Sequence, residues 1–228
     1  DKTEDTINTT WWEQFNDPVL TQLIEEALKE NKDIKIASAN VERALGILMQ
    51  VRSEFFPQIG YSVTAMKSLY SNETGVPLSP LTPNPITSFE ALVNGTWELD
   101  MWGRITRLVQ SSKANLYAAE EAHRGVIQSV VATTANTYLS LLGLDAQLDI
   151  SIETRQAYGE MVIYFEKQYR YGQVSKINVA QALTQYEQAE AAIPQLEIQI
   201  AQTENALSVL IGSYPGPIPR GKNIYTIT

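Results

Sequence analysis

From Gly103 to Ile193 the chain contains no proline, and the stretch is rich in alanine, leucine, glutamine and glutamate. That composition favours helix. A break is signalled only at YGQVS, residues 171–175, where Gly172 can end one helix in the left-handed conformation and Ser175 can cap the next. The sequence therefore predicts an outgoing helix over residues 104–171, roughly 100 Å long at 1.5 Å per residue. A helix of that length must project beyond a globular domain of this size.

The returning helix carries an apolar seam that steps alternately by three and four residues. Its members are Val179, Ala182, Tyr186, Ala189, Ile193, Leu196, Ile200, Thr203, Leu207 and Leu210, of which only Thr203 is polar. The pattern is typical of a coiled coil, so residues 103–212 are predicted to form a long antiparallel helical hairpin. Pro194 removes a backbone donor and predicts a bend. Gly212, with the PGP that follows at 215–217, ends the helix before an extended tail, residues 213–228.

Two shorter helices are predicted within residues 1–57. Asp17 precedes a proline at the first helical position, which indicates a helix start, and the apolar stripe that follows ends near Asn31. A second helix is expected from Asp33 until Pro57 stops it. The aromatic cluster before the first helix is expected to pack onto both, and consists of Trp11, Trp12 and Phe15.

In residues 58–102 the period of the apolar residues changes to two. In the first run Ile59, Tyr61, Val63, Ala65 and Leu69 share one face; in the second, Phe89, Ala91, Val93, Gly95, Trp97, Leu99 and Met101 point one way, and Glu90, Asn94, Thr96, Glu98 and Asp100 point the other. Residues 71–87 contain four prolines and predict a long external loop between two strands. Each strand is at or slightly above the roughly 9–11 residues that a tilted strand needs to cross a bilayer. A hairpin with one face on a soluble core is the other interpretation of the pattern.

Composition excludes several classes of function. The net charge of −9 argues against a phosphate-rich partner such as nucleic acid. The absence of cysteine excludes disulfides, thiolate metal sites and a cysteine nucleophile. No run approaches the roughly 20 apolar residues of a membrane-spanning helix, so membrane contact must come from strands or an interfacial helix. The polar start lacks a signal-peptide pattern, and we expect either a cytosolic protein or a chain that begins after processing.

Few residues suggest catalysis. Glu98 and Asp100 lie two residues apart on one strand face and could resemble an acid–base pair. However, nothing apolar surrounds them to raise the pKa of either carboxyl group. His123 stands beside Arg124 on the predicted long helix, where it needs no catalytic role. No glycine-rich phosphate loop or metal-ligand cluster accompanies these residues. We therefore identify no catalytic, cofactor-binding or metal-binding residue and predict that the protein is not an enzyme.

Four segments resemble TolC-like outer-membrane factors, the exit ducts of multidrug and metal efflux systems. WWEQFNDPVLTQLIEEALKENKDIKIA is similar to the start of that family, and WELDMWGRITR to its second strand running into its long helix. YGQVSKINVAQA resembles the tip of its helical hairpin, although Asn178 stands where an aspartate is usual, and ALSVLIGSYPGPIP resembles the end of its first repeat. The matches follow the family's order over nearly the whole chain. They cover the first structural repeat only, so we expect a fragment or a truncated product.

The resemblance implies a mainly α fold with two transmembrane barrel strands, which is half of a TolC-like protomer. Such protomers form homotrimers, with a twelve-stranded β-barrel in the outer membrane of a Gram-negative bacterium and a helical tunnel in the periplasm. The implied function is a passive exit duct for drugs, metals or other small molecules. Its implied partners are a periplasmic adaptor protein, an inner-membrane pump and outer-membrane lipid, and no cofactor is implied.

The resemblance also implies roles for individual residues. The tip that docks on the adaptor is expected at Tyr171, Gly172, Val174 and Ser175; the lipid-facing residues are Phe89, Ala91, Val93, Trp97 and Leu99; the barrel-lumen residues are Glu90, Asn94, Glu98 and Asp100. The tryptophans Trp97 and Trp102 suit an aromatic girdle at the membrane interface. The alternative is a soluble periplasmic coiled-coil scaffold or adaptor protein, in which the strands would be buried in a small β domain.

Overall fold

A computed structural model of the chain describes residues 10–71 and 84–226. In chain order its α-helices and strands are α1 (Pro18–Glu30), α2 (Lys32–Ser53), β1 (Gln58–Ser68), β2 (Ile86–Thr96), α3 (Arg104–Arg170) and α4 (Lys176–Leu210). Short 3-10 helices cover Trp11–Phe15 and Ile224–Thr226. The predicted mainly α fold with a two-stranded ribbon is confirmed, and α3 is one continuous helix of 67 residues. Most of the loop predicted at 71–87 lies outside the described residues.

The chain divides into two compact units. The first consists of Asp1–Asn40 and Glu120–Thr228, and the second of Val41–Ala119. In the first unit, α1, the middle of α3, the end of α4 and the tail share one apolar core, whose members include Leu20, Ile24, Val131, Ala135, Tyr138, Leu141, Leu207, Ile211 and Ile218. Burial of this surface is the main force that holds these segments together. The seam residue Leu207 belongs to this core, and Ile193, earlier in α4, is also buried within the chain itself.

Polar side chains fix both ends of α1. The carboxylate of Asp17 accepts hydrogen bonds from the N–H groups of Val19 and Leu20, at 2.8 and 3.4 Å, as its position before the proline predicts. At the other end the amide oxygen of Asn31 accepts from the first turn of α2, while its nitrogen donates to the carbonyl of Leu210 at 2.8 Å. Asn31 therefore joins three helix ends, and α2 begins one residue earlier than predicted.

Asp17 also holds the tail on the core. Its second carboxylate oxygen accepts from the hydroxyl of Tyr138 at 2.9 Å and from the N–H of Lys222 at 3.2 Å. The same hydroxyl accepts from the N–H of Gly221 at 3.0 Å. Burial raises the pKa of Tyr138 to about 12, so the phenol stays protonated and keeps donating. Nearby, Arg220 forms an ion pair with Asp145 at 2.8 Å.

Gly212 ends α4 at a place where only glycine fits. Its φ is +73°, and a Cβ at this position would lie 2.7 Å from the carbonyl oxygen of Glu30. The N–H groups of Gly212 and Ser213 donate to the carbonyls of Val209 and Ser208, the paired bonds of a Schellman turn. The predicted helix end is confirmed here.

In the second unit β1 and β2 form one antiparallel ribbon, from Gln58 opposite Thr96 to Ser68 opposite Ile86. The prediction that the second strand continues to Met101 is wrong. Because β1 begins directly after Pro57, neither strand of the described residues lies opposite residues 97–101 to exchange hydrogen bonds with them. In the described part of the chain, no helix is both long and apolar enough to cross a membrane.

Candidate functional site: the ribbon, its junction with α3 and the hairpin tip

The register of the ribbon brings the apolar side chains of both strands onto one face. Residues opposite each other in an antiparallel pair point to the same side, and here Tyr61 lies opposite Val93, Val63 opposite Ala91, and Ala65 opposite Phe89. We call the side formed by the odd-numbered residues 59–65 and 89–93 the apolar face. A slip of one residue would have scattered these side chains over both sides.

The apolar face is exposed. Tyr61 is 85%, Phe89 81% and Val93 77% accessible, although such side chains gain most from burial. The hairpin on a soluble core predicts that this side is covered by other residues of the chain. None of the described residues covers it.

The opposite side of the ribbon is largely polar. Thr64 lies opposite Glu90, and Gly60 opposite Asn94. A Cβ on Gly60 would come within 2.9 Å of the Asn94 side chain, so this amide rests over the glycine. Leu92, half-exposed, is an apolar exception on this side. The predicted lumen residues Glu90 and Asn94 therefore share one side, opposite to the predicted lipid-facing Phe89, Ala91 and Val93.

Trp97 and Leu99 lie beyond the end of β2, so the strand alternation does not place them on the apolar face. The indole N–H of Trp97 donates to the carbonyl of Phe55 at 3.0 Å. This bond connects the end of β2 to the turn that precedes β1. Trp97 is nevertheless 60% exposed, which leaves its ring available to a membrane interface.

Asp100 also lies beyond the strand, where it caps α3. Its carboxylate accepts from the N–H groups of Ile105 and Thr106, at 3.0 and 2.8 Å, and from the Thr106 hydroxyl at 2.6 Å. The hydroxyl contact, followed by the backbone bonds, holds the pKa of Asp100 below its usual value. An acidic cap also suits the positive end of the helix dipole. Asp100 therefore caps α3 and is not part of β2, and its lumen position stays a prediction.

Glu98 likewise binds α3 instead of continuing the strand. It forms a two-point ion pair with Arg104, Nε to Oε1 at 2.8 Å and Nη2 to Oε2 at 2.7 Å. The bond from Arg104 lowers the pKa of Glu98. The same Nη2 reaches Glu54 at 3.1 Å. Alternation alone could not reveal this, but a basic residue at the first position of a helix is unfavourable with the dipole and signals an acidic partner.

The turn between α3 and α4 has the geometry that its glycine predicts. Gly172 has φ +72°, and its N–H donates to the carbonyl of Tyr169 at 2.9 Å. The N–H of Gln173 donates to the carbonyl of Gln168 at 2.9 Å, which completes a Schellman turn. A Cβ on Gly172 would meet nothing within 4 Å. The glycine is required for its backbone conformation and not for space.

Ser175 occupies the cap position of α4, but its side chain does not cap the backbone. Its hydroxyl donates instead to the amide oxygen of Asn178 at 2.8 Å, and the predicted side-chain cap is wrong. The side chain of Tyr171 is 81% exposed and that of Val174 is half-buried. Away from the turn, a Cβ on Gly159 of α3 would lie 3.4 Å from the ring of Tyr186 of α4. The two helices therefore run side by side, as the predicted helical hairpin requires.

Across residues 10–71 and 84–226, no group of three or more histidine, cysteine, aspartate or glutamate side chains is placed to hold a metal ion. The candidate functional features are the exposed apolar face, the charged junction of the ribbon with α3, and the turn between α3 and α4.

Comparison with known proteins gives these features a family. A family model described as "Outer membrane efflux protein" matches residues 23–213. The chain is 29% identical over 219 residues to the probable outer membrane lipoprotein SilC of Salmonella typhimurium, covering 95% of this chain and 45% of that protein. It is 32% identical over 212 residues to the solvent efflux pump outer membrane protein SrpC of Pseudomonas putida, covering 91% and 44%. The chain thus spans about half the length of the curated relatives it matches.

Solved structures agree on the fold. A crystal structure of CusC matches 97% of this chain and 50% of its own with a TM-score of 0.79 at 28% identity. The outer membrane protein VceC of Vibrio cholerae matches 90% and 49% with a TM-score of 0.74 at 26% identity. The chain therefore belongs to the outer membrane efflux protein family, matches a half-length TolC-like unit, and has its location in the outer membrane of a Gram-negative bacterium.

Proposed function

We propose that the chain is half of a channel subunit in a tripartite efflux system, and that the complete channel is a passive exit duct for small molecules or metal ions. In this proposal β1 and β2 cross the outer membrane as part of a closed barrel, while α3 and α4 line the periplasmic tunnel. An inner-membrane pump supplies the energy. No residue carries out a chemical step on the substrate.

The exposed apolar face carries this proposal. An exposed two-stranded ribbon is costly in water because its apolar side chains stay hydrated and both of its edges lack partners. In a barrel wall the same face meets lipid, neighbouring strands pair with the edges, and the side with Glu90 and Asn94 meets water. Each strand has 11 residues, which is enough for a tilted strand to cross a bilayer.

The partners follow from the same arrangement. A two-stranded unit needs further units to close a barrel, and we propose a homotrimer of subunits that each carry two such units. The tip residues Tyr171, Gly172, Val174 and Ser175 would meet a periplasmic adaptor protein. The exposed Tyr171 ring and the rigid Schellman turn support this assignment. For substrates, the names of relatives mention solvents and cations, which supports small molecules or metal ions as the class.

Channel recordings test the proposal. The full-length subunit in planar lipid bilayers should produce stepwise conductance. Glu90→Lys should lower the preference of the channel for cations, because the positive charge of the lysine on the polar face would repel them. Glu25→Lys, on an exposed position of α1, is the matched control and should leave the preference unchanged. Folded protein that gives no conductance steps would contradict the duct. Steps with an unchanged preference in Glu90→Lys would contradict the assignment of the polar face to the lumen.

The soluble scaffold makes a different prediction for the same protein. A soluble scaffold protein would need no detergent to stay in solution, because its apolar face would be covered by protein. Retention of the purified subunit in solution without detergent would favour the scaffold.

A further inference from the structure

Arg104 occupies an unusual position in the second unit. It is the first residue of α3, where the positive end of the helix dipole opposes a cation. Its guanidinium is nevertheless held by two carboxylates from different places in the chain. Glu54 precedes β1 and Glu98 follows β2, so one side chain connects the segments that flank both strands, at the Gln58–Thr96 end of the ribbon, to the start of α3.

A second contact crosses the same junction. Trp97, directly after β2, donates its indole N–H to the carbonyl of Phe55, directly before β1. Asp100 caps the first turn of α3 from the connecting segment. Three separate contacts thus join the segment after α2, the start of β1, the end of β2 and the first turn of α3. Without them, only the segments 54–57 and 97–103 would set the direction of the ribbon.

We propose that Arg104 is a positioning residue for the membrane ribbon: by binding Glu54 and Glu98 together, it fixes the direction in which β1 and β2 leave α3. The planar guanidinium suits this task because it binds one carboxylate at two points while reaching a second. The side chains of the three residues are about half exposed, and such ion pairs add little to global stability. The role is therefore geometric, and it rests on the proposed function only in identifying the ribbon as a membrane element.

A distance measurement between spin labels tests the role of Arg104. The chain has no native cysteine, so labels at the exposed positions Ser62, on β1, and Ser111, on α3, report the direction of the ribbon. Double electron–electron resonance on the 228-residue chain in detergent, diluted with unlabelled chain, should give one narrow distance distribution. Arg104→Gln should lose that narrow peak. Arg107→Gln should keep it, because Arg107 lies one turn further along α3, where its guanidinium donates to the side-chain oxygen of Gln110 at 2.8 Å and not to Glu54 or Glu98.

Charge exchange separates positioning from folding. The double variant Glu98→Arg with Arg104→Glu restores opposite charges and should recover the narrow distribution. Helix content from circular dichroism should stay unchanged in every variant, since Asp100 still caps α3. A peak in Arg104→Gln as narrow as in the original chain overturns the positioning role. If Arg104→Gln itself loses helix content, the double variant decides. A broad distance distribution in the double variant, at full helix content, would then overturn the positioning role.

The outcome is separable from that of the proposed function. Oxygen access to a label at position 93 in lipid reports whether the ribbon meets the membrane, whatever the state of Arg104. Absence of that access in the unsubstituted protein counts against the membrane ribbon. If oxygen does reach the label, but Arg104→Gln leaves the distance distribution unchanged, only the positioning role of Arg104 is contradicted.

Discussion

At the residue scale, the buried carboxylate of Asp17 shows what sequence can and cannot predict. Its capping of α1 follows from the neighbouring proline and is confirmed. Its bonds to Tyr138 and Lys222 could not be predicted, because they join residues 121 and 205 positions apart. Local patterns encode local partners, whereas a buried hydrogen-bond network depends on how distant segments pack.

The hydroxyl of Tyr138 should contribute measurably to stability. Tyr138→Phe keeps the shape of the core but leaves the N–H of Gly221 without its acceptor and Asp17 without one donor. We expect a loss of about 1–3 kcal/mol in the free energy of unfolding, measured by urea denaturation in detergent. Tyr117→Phe, at a half-exposed position of the same helix, is the control. Equal effects of the two substitutions would show that the network around Asp17 does not stabilise the fold.

Two glycines with the same backbone conformation should respond differently to alanine. Gly172 and Gly212 have φ of +72° and +73°, but only at Gly212 does a Cβ meet backbone, the carbonyl oxygen of Glu30 at 2.7 Å. Gly172→Ala should cost about 1–2 kcal/mol from conformation alone. Gly212→Ala should cost more, because α4 must also move away from the end of α1. Urea denaturation of both variants checks the order, and a smaller loss at Gly212 would contradict the close approach.

At the element scale, the ends of α1, α3 and α4 were predictable, whereas the end of β2 was not. The end of α2 was also missed, because the helix stops at Ser53 and does not continue to Pro57. Proline, glycine and the spacing of apolar residues gave α1, α3 and α4 to within about a residue. Alternation in residues 97–101 predicted more strand, but a strand needs a partner, and β1 starts only after Pro57. Alternation describes which side a residue faces if a strand forms and says nothing of what lies opposite. Asp100 and Glu98 therefore serve the junction with α3.

The turn between α3 and α4 gives a prediction about docking. Gly172→Val should distort the tip, because a β-branched residue is strained at positive φ, and should reduce cross-linking to the adaptor and efflux while trimers still form. Gly172→Asn, which tolerates the left-handed conformation, is the matched control and should retain both. Normal efflux at normal expression of Gly172→Val would argue that the tip has no docking role.

At the scale of the whole molecule, the unit is incomplete as a barrel wall. Within the described residues, β1 pairs only with β2, so both outer edges of the ribbon lack partners. In lipid each unpaired backbone group costs several kcal/mol. The apolar seam of α4 differs, because its residues Ile193 and Leu207 are already buried within the chain and need no partner from another unit. The ribbon is thus the part of the unit that requires further strands.

Residues 1–228 expressed alone should therefore associate and should not form a closed monomeric pore. Association pairs the ribbon edges of one copy with those of another, and six copies would supply as many strands as three double-length subunits. Native mass spectrometry in detergent measures the stoichiometry. A monodisperse monomer that stays soluble without detergent would revive the soluble scaffold.

The most direct test of the membrane ribbon is collision access to spin labels on β2 of the full-length protein in lipid bilayers. Labels at positions 91 and 93 lie on the apolar face, and labels at 90 and 94 lie on the opposite side. Molecular oxygen, which concentrates in lipid, should relax labels 91 and 93, and a water-soluble relaxant should relax labels 90 and 94. The reverse pattern, or equal access at all four positions, would contradict the assignment of β1 and β2 to the wall of a membrane channel.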